Sequence, residues 1–186
     1  MFKNRRKVLF ITALSVFMVL IGLVYLFQAL GYSITYSPSD SMKPYNFFFK
    51  TKVVDPTSIK KGDIVVFPMP KKFLDYERYY YKSGLWYSLN SDLVKFDGCS
   101  AGEVINTVNR KDYCNGKLIA TVPRYADLIP VKHDKIKTFA KYHNLKIPKG
   151  YFFALGPDKY SLDSRYFGLV KLSSVKDTAV GFSLHL

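Results

Sequence analysis

The sequence predicts a mainly β domain behind a single membrane-spanning helix. Three observations carry that prediction. Residues 8–28 are an apolar run without a charge. Aromatic residues make up 17% of the chain, with 15 Tyr and 15 Phe, and aromatics suit the pleated surface of a sheet. The remainder alternates short β-prone runs with turn residues, the pattern of an all-β domain built from many strands. The 186 residues suffice for one anchor and one domain of roughly 150 residues with a real core.

About 20 consecutive apolar residues cross a bilayer as a helix. Lys3, Arg5, Arg6 and Lys7 precede the run, and no acidic residue occurs before Asp40. The positive-inside rule keeps that basic end in the cytoplasm and sends the rest across. The expected organisation is a cytoplasmic basic tail at 1–7, a transmembrane helix at 8–28 and a β-rich domain at 29–186. A cleavable signal peptide is the competing reading. The run exceeds the usual apolar stretch of about 7–15 residues, and Gln28-Ala29-Leu30-Gly31-Tyr32-Ser33 is a weak cleavage site. An uncleaved anchor is therefore expected.

After the anchor, strands are expected at 33–36, 47–54, 64–67, 92–96, 104–108, 117–122, 151–155, 169–172 and 178–182. Lys61-Gly62-Asp63, Asn115-Gly116 and Pro148-Lys149-Gly150 punctuate them as turns. Residues 134–146 place Ile136, Phe139 and Ala140 at helical spacing, which predicts a short helix. The tyrosine-rich stretch 73–90 fits either core or contact with lipid, and core is the expectation. Cys99 and Cys114 both follow the anchor, so a disulfide in an oxidising space is expected. Closing that loop contributes about 3 kcal/mol in the chain-entropy model.

The net charge is +14, and 24 basic against 14 acidic residues remain beyond the tail. This balance suits a lipid surface or simple solubility. No zinc-finger or nucleic-acid-binding signature is present, so no nucleic-acid partner is expected. His133, His143 and His185 show no ligand spacing with the cysteines. No metal site and no cofactor are expected.

Two segments carry chemistry. Ser37-Pro38-Ser39-Asp40-Ser41-Met42-Lys43-Pro44 lies about thirteen residues beyond the anchor, and a serine nucleophile there needs a base and an oxyanion site. Taken alone, a serine in a Pro-flanked loop is usually a turn residue. In Ser161-Leu162-Asp163-Ser164-Arg165-Tyr166-Phe167-Gly168, residues 161, 163 and 165 would share one side of an extended chain. The plain alternative is a solvated loop with a surface ion pair of little energetic weight.

Together the segments resemble the type I signal peptidase family, which uses a Ser/Lys dyad. Ser41-Met42-Lys43-Pro44 matches its Ser-Met-x-Pro motif. Residues 161–168 match its Ser-x-Asp-Ser-Arg-Tyr-(aromatic)-Gly motif, and Gly62-Asp63-Ile64-Val65-Val66-Phe67 looks like its Gly-Asp-(apolar) strand. The resemblance implies a signal-peptidase-like β-rich fold with Ser41 as nucleophile. Its base is a strand-ending lysine before a glycine turn with an acidic residue, a pattern similar to Lys95-Phe96 followed by Gly102-Glu103. Lys95 is the only lysine between residues 83 and 110; Lys132 and Lys52 are the next candidates. The resemblance further implies that Ser39 supports the oxyanion, that Ser161 orients the lysine amine, and that Asp163 and Arg165 brace that shell.

The chain departs from the family at four places. Phe96 stands where Arg often follows the lysine, and Tyr45 where Thr often follows Ser-Met-x-Pro. Ala101-Gly102-Glu103 replaces Pro-Gly-Asp, and Gly156-Pro157-Asp158 replaces Gly-Asp-Asn. With the small size, these departures make the conjugative-transfer (TraF-type) branch the closer resemblance. It implies pilin or other transfer-apparatus precursors as substrates, at the periplasmic face of a bacterial inner membrane. General signal peptidase I, and a non-catalytic pilus or secretion assembly protein, are the alternatives. A self-cleaving regulator is not expected, because seven residues before the anchor leave no room for a DNA-binding domain.

Overall fold

The computed structural model describes residues 2–37, 40–53, 55–70, 92–122, 139–159 and 161–183. Helix α1 runs from Phe2 to Ala29. Its stretch Lys7–Ala29 is 23 residues long and apolar, and its side chains are exposed rather than packed into the protein along nearly all of its length. At about 1.5 Å per residue it reaches roughly 34 Å, long enough for a bilayer core. The helix begins earlier than the apolar run, carrying the basic residues on its first turns. Gly31 ends it at φ +83°, with the Gly31 N–H donating to Gln28 O.

Only Leu30 and Gly31 separate the helix from the first strand. The strands are β1 (Tyr32–Tyr36), β2 (Phe47–Lys52), β3 (Ile64–Pro68), β4 (Asp92–Cys99), β5 (Val104–Val108), β6 (Lys111–Cys114), β7 (Lys117–Thr121), β8 (Leu145–Lys146), β9 (Tyr151–Leu155), β10 (Val170–Lys171) and β11 (Asp177–Phe182). A one-turn helix α2, Ser164–Phe167, precedes β10. Seven strands form one sheet in the order β1-β2-β11-β3-β4-β9-β10, and four form a second in the order β7-β6-β5-β8. The strand pairs are antiparallel.

The apolar runs IVVF and YFFAL become β3 and β9, buried over most of their length. Val65, Phe67, Phe152, Ala154, Phe167 and Val170 form the centre of the main core. A second cluster gathers Ile105, Tyr142, Ile147 and Phe153 around the two cysteines. At the near end of the large sheet, the Phe27 ring lies 5.1 Å from Tyr32 and 5.4 Å from Phe49, fixing the helix end on β1 and β2.

Most expected strands are present with ends shifted by a few residues. The expected 169–172 strand is shorter, and Leu172–Ser174 closes as a 3₁₀ turn. β6 went unmarked in the sequence because its turn with β5 is Asn109-Arg110, two non-glycine residues at φ 48° and 65°. The expected helix at 134–146 is corrected over its described part. Residues 139–144 are irregular, and Leu145–Lys146 pairs with β5 as β8. Ala140 and Tyr142 spend their backbone N–H groups on Arg165 O and on the Thr107 hydroxyl, not on a helical ladder. Residues 134–138 and the tyrosine-rich 73–90 lie outside the described residues.

Cys99 and Cys114 are joined as a disulfide with Cα atoms 5.9 Å apart, which ties the end of β4 in the large sheet to the end of β6 in the small one. The 15-residue separation predicts a loss of about 3 kcal/mol, relative to wild type, when both Cys99 and Cys114 are replaced by Ala. Urea unfolding of the full chain in detergent checks it. A reductant should shift the wild-type midpoint and leave the double variant unmoved.

Candidate active site

The site assembles where β9 ends. β4 pairs with β9 only from Phe96 to Cys99, while β3 accompanies it along Asp92–Phe96. Into the space beyond β9 comes the 3₁₀ turn Asp40–Met42, which carries Ser41. Met42 is buried against Phe48 and Ile64 and pins that turn to the large sheet. The Lys95 Nζ lies 3.2 Å from the Ser41 Oγ.

Lys95 is 2% exposed on β4. Burial pushes its pKa down from 10.5 to about 8; the Asp163 carboxylate works against that shift and the Arg165 guanidinium adds to it. At about 8, roughly one amine in ten is neutral at pH 7, against under about 0.1% for a free lysine. A neutral amine within reach of a serine hydroxyl is the arrangement general-base activation needs.

The distal segment is built differently from its sequence reading. Residues 161, 163 and 165 do not lie along one extended strand. Asp163 caps α2 by accepting the Arg165 N–H, and Arg165 stands within that helix. The two side chains form a bidentate pair: Arg165 Nη2 donates to Asp163 Oδ2 at 2.6 Å and Nε to Oδ1 at 2.8 Å. The surface-loop alternative is also corrected, because Asp163 is 0% and Arg165 2% exposed. Burial opposes the Arg165 charge, and the bond and charge of Asp163 outweigh it, so its pKa is raised.

Gly156, the residue after β9, ties this pair to the serine turn. Its N–H donates to Asp163 Oδ2 at 2.8 Å, and its carbonyl accepts from Arg165 Nη2 at 3.3 Å. A Cβ at this position would fall onto the Ser161 hydroxyl and within 2.8 Å of Ser41 O. The missing side chain of Gly156 is thus what lets Ser41 and Ser161 share one corner.

A signal peptidase family model, peptidase S26, matches residues 5–183. The chain belongs to the signal peptidase family. Membership assigns it the cleavage of signal peptides from precursor proteins, by serine-type endopeptidase chemistry and in association with a membrane. Among solved structures, a signal peptidase I from Enterococcus faecalis V583 is similar at 24% identity, over 62% of this chain and 92% of that one, with a TM-score of 0.35. No curated protein sequence matches.

Within this family frame, Ser41, Lys95, Ser161, Asp163 and Arg165 converge on one region. Ser161 is buried, and its hydroxyl makes no hydrogen bond among the described residues, so the expected bond to the Lys95 amine is not formed here. Ser39 lies outside the described residues, as does Lys132. Lys52, the other alternative base, is exposed at the end of β2. Glu103 serves the β4–β5 junction: it accepts from Lys61 Nζ at 2.7 Å and from the Ser100 N–H at 2.8 Å. Gly156 appears in the sequence only as the start of the Gly156-Pro157-Asp158 departure from Gly-Asp-Asn, with no role at the site attached to it. Its signal was a glycine placed directly after a fully apolar strand. Gly156→Ala should lower kcat about 10²-fold by displacing the Ser41 turn while the chain stays folded, as steady-state kinetics with circular dichroism will report.

Proposed function

We propose that the chain is a membrane-anchored Ser/Lys peptidase that trims exported precursors, with Ser41 as nucleophile and Lys95 as general base. The observation that carries this reading is the 3.2 Å approach of a buried Lys95 amine to the Ser41 hydroxyl. Neutral Lys95 takes the Ser41 proton as Oγ attacks the scissile carbonyl carbon. The resulting oxyanion is held by the Ser41 N–H, with the Ser39 hydroxyl as its second donor. As the intermediate collapses, the Lys95 ammonium returns its proton to the departing amine and an acyl-enzyme remains. Lys95 then deprotonates the water that releases the acid product. Ser161 orients the amine as substrate enters, and the Asp163–Arg165 pair braces the corner.

Substrate docks by strand addition. The edge of β4 at Asp92–Lys95 has no strand partner opposite β3 among the described residues, so an extended precursor segment has backbone groups to pair with beside Ser41. In this reading α1 crosses a bacterial inner membrane once with its basic end in the cytoplasm, and the β domain works on the periplasmic side. Ile34, Tyr36 and Val180 are exposed near the end of α1, which suits a domain resting on the lipid surface. The departures at Tyr45, Phe96 and 101–103 favour a TraF-type enzyme acting on pilin or other conjugative-transfer precursors.

The test is mass spectrometry of candidate precursors, and of an internally quenched peptide with Ala at the first and third positions before its cut. Wild type should cleave, and Ser41→Ala should not while still inserting and folding. Equal cleavage by both proteins would remove Ser41 from the mechanism. No cleavage by wild type of any such precursor would favour a non-catalytic assembly role.

A further inference from the structure

Two of the chain's departures from the family pattern meet in space. Tyr45 and Phe96, 51 positions apart in the sequence, meet in a tilted ring contact, with centroids 6.5 Å apart and planes at 58°, within the separation at which aromatic pairs attract. We propose that Tyr45 and Phe96 form a latch that positions the Ser41 turn against Lys95, and this rests on the dyad reading above.

Consecutive strand residues point to opposite faces, so β4 sends Lys95 to one side and Phe96 to the other. On the Phe96 side sits a cluster of Met42, Phe48 and Ile64, joined by Tyr45, Val94 and Ala179. Both anchors of the nucleophile turn, Met42 and Tyr45, therefore seat in the cluster to which Phe96 belongs. The Tyr45 N–H closes the turn by donating to Met42 O at 3.0 Å, and the Ser37 N–H closes its neck by donating to Asn46 O at 2.8 Å. One short length of β4 thus fixes both partners: the base by its own backbone, and the serine through the ring of the next residue.

A third residue completes the latch. Gly181 on β11 is covered by Tyr45, whose Cγ lies 2.6 Å from where a Cβ at 181 would stand. The three closest atoms to that point all belong to Tyr45, so the seat of this ring requires a glycine there.

The test uses the full chain in detergent and the internally quenched peptide. Tyr45→Ala, Phe96→Ala and Gly181→Ala should each lower kcat by about tenfold or more with KM changed less than about twofold, the mark of a displaced nucleophile. Tyr45→Phe should stay within about twofold, since the ring is kept. The decisive variant combines Gly181→Ala with Tyr45→Ala. Without the ring there is little left to displace, so the pair should be no worse than Tyr45→Ala alone. Circular dichroism and the thermal midpoint separate misfolding from misplacement, and Tyr45→Leu replaces Tyr45→Ala if the latter does not fold. Wild-type kcat in Tyr45→Ala, a loss confined to KM, or full multiplication of the Gly181→Ala and Tyr45→Ala defects would overturn the latch. Activity retained in Ser41→Ala would instead overturn the dyad. An inactive Ser41→Ala beside wild-type kcat in the latch variants would overturn the latch alone.

Discussion

Replacing Lys95 by Met should abolish cleavage and make the folded protein more stable at pH 7. Lys95 is 2% exposed, and its pKa falls from 10.5 to about 8 on folding. Between these two values the unfolded chain holds a proton that the folded chain has released. Stability from this residue therefore rises with pH across the window, and below about pH 8 the full cost of burying the ammonium remains. The drop corresponds to about 3 kcal/mol. Met keeps most of the apolar stem and removes the charge, so urea unfolding at pH 7 should show a gain approaching that figure. The gain should shrink as pH rises above 8. Activity goes the other way, with a loss of about 10²–10⁴-fold expected for a general base. Lys95→Arg should be equally inactive, because a guanidinium does not give up its proton. In wild type, kcat should climb with pH through about 8 and level off, following the neutral amine. A less stable Lys95→Met, or a flat pH profile in wild type, would mean that the buried ammonium carries no such cost.

The legibility of this fold in its sequence follows from which signals were local. The N-terminal apolar helix, Ile64–Pro68 and Tyr151–Leu155 were readable because each is a continuous apolar run, and Asn115-Gly116 because its turn demands positive φ. The Ser-Met-x-Pro and Ser-x-Asp-Ser-Arg motifs named residues that the fold brings to one corner. What the sequence hid was long-range. Nothing local says that Gly156 touches both Ser41 and Ser161, or that Tyr45 and Phe96 share a cluster. Nor does local spacing reveal that residues 139–144 give their backbone bonds to the small sheet and to Arg165, where periodicity alone argued helix. The alternation of 161, 163 and 165 misled for a related reason. Asp163 caps a turn through its side chain, and a cap can bring i and i+2 together without a strand.

Removing the Arg165 guanidinium should damage stability more than any other single change at this site. Its side chain donates to the carbonyls of Thr121, Gly156, Asp158, Lys159 and Ser161 and pairs with Asp163. Arg165→Leu leaves a fully buried carboxylate without its partner, a change that costs about 3–5 kcal/mol. Against a domain stability of about 5–15 kcal/mol, this is enough to place the midpoint of urea unfolding near or below zero for a protein at the lower end. Arg165→Lys should recover little, because a single ammonium does not span a bidentate carboxylate and the surrounding carbonyls. The informative variant is Asp163→Leu with Arg165→Met. Replacing both charges by apolar groups removes the unpaired carboxylate, so part of the lost stability should return, while the Gly156 N–H and the carbonyls that Arg165 served stay without these partners. Activity should not return, because the Gly156 N–H loses its acceptor at Asp163 and the Gly156 carbonyl loses its donor at Arg165. Gly156 is where Ser41 and Ser161 meet, so a stable double variant with a low kcat would separate bracing of the corner from folding of the domain. A double variant that regains both stability and kcat would show that the pair only holds the fold, and that the corner is set by packing alone.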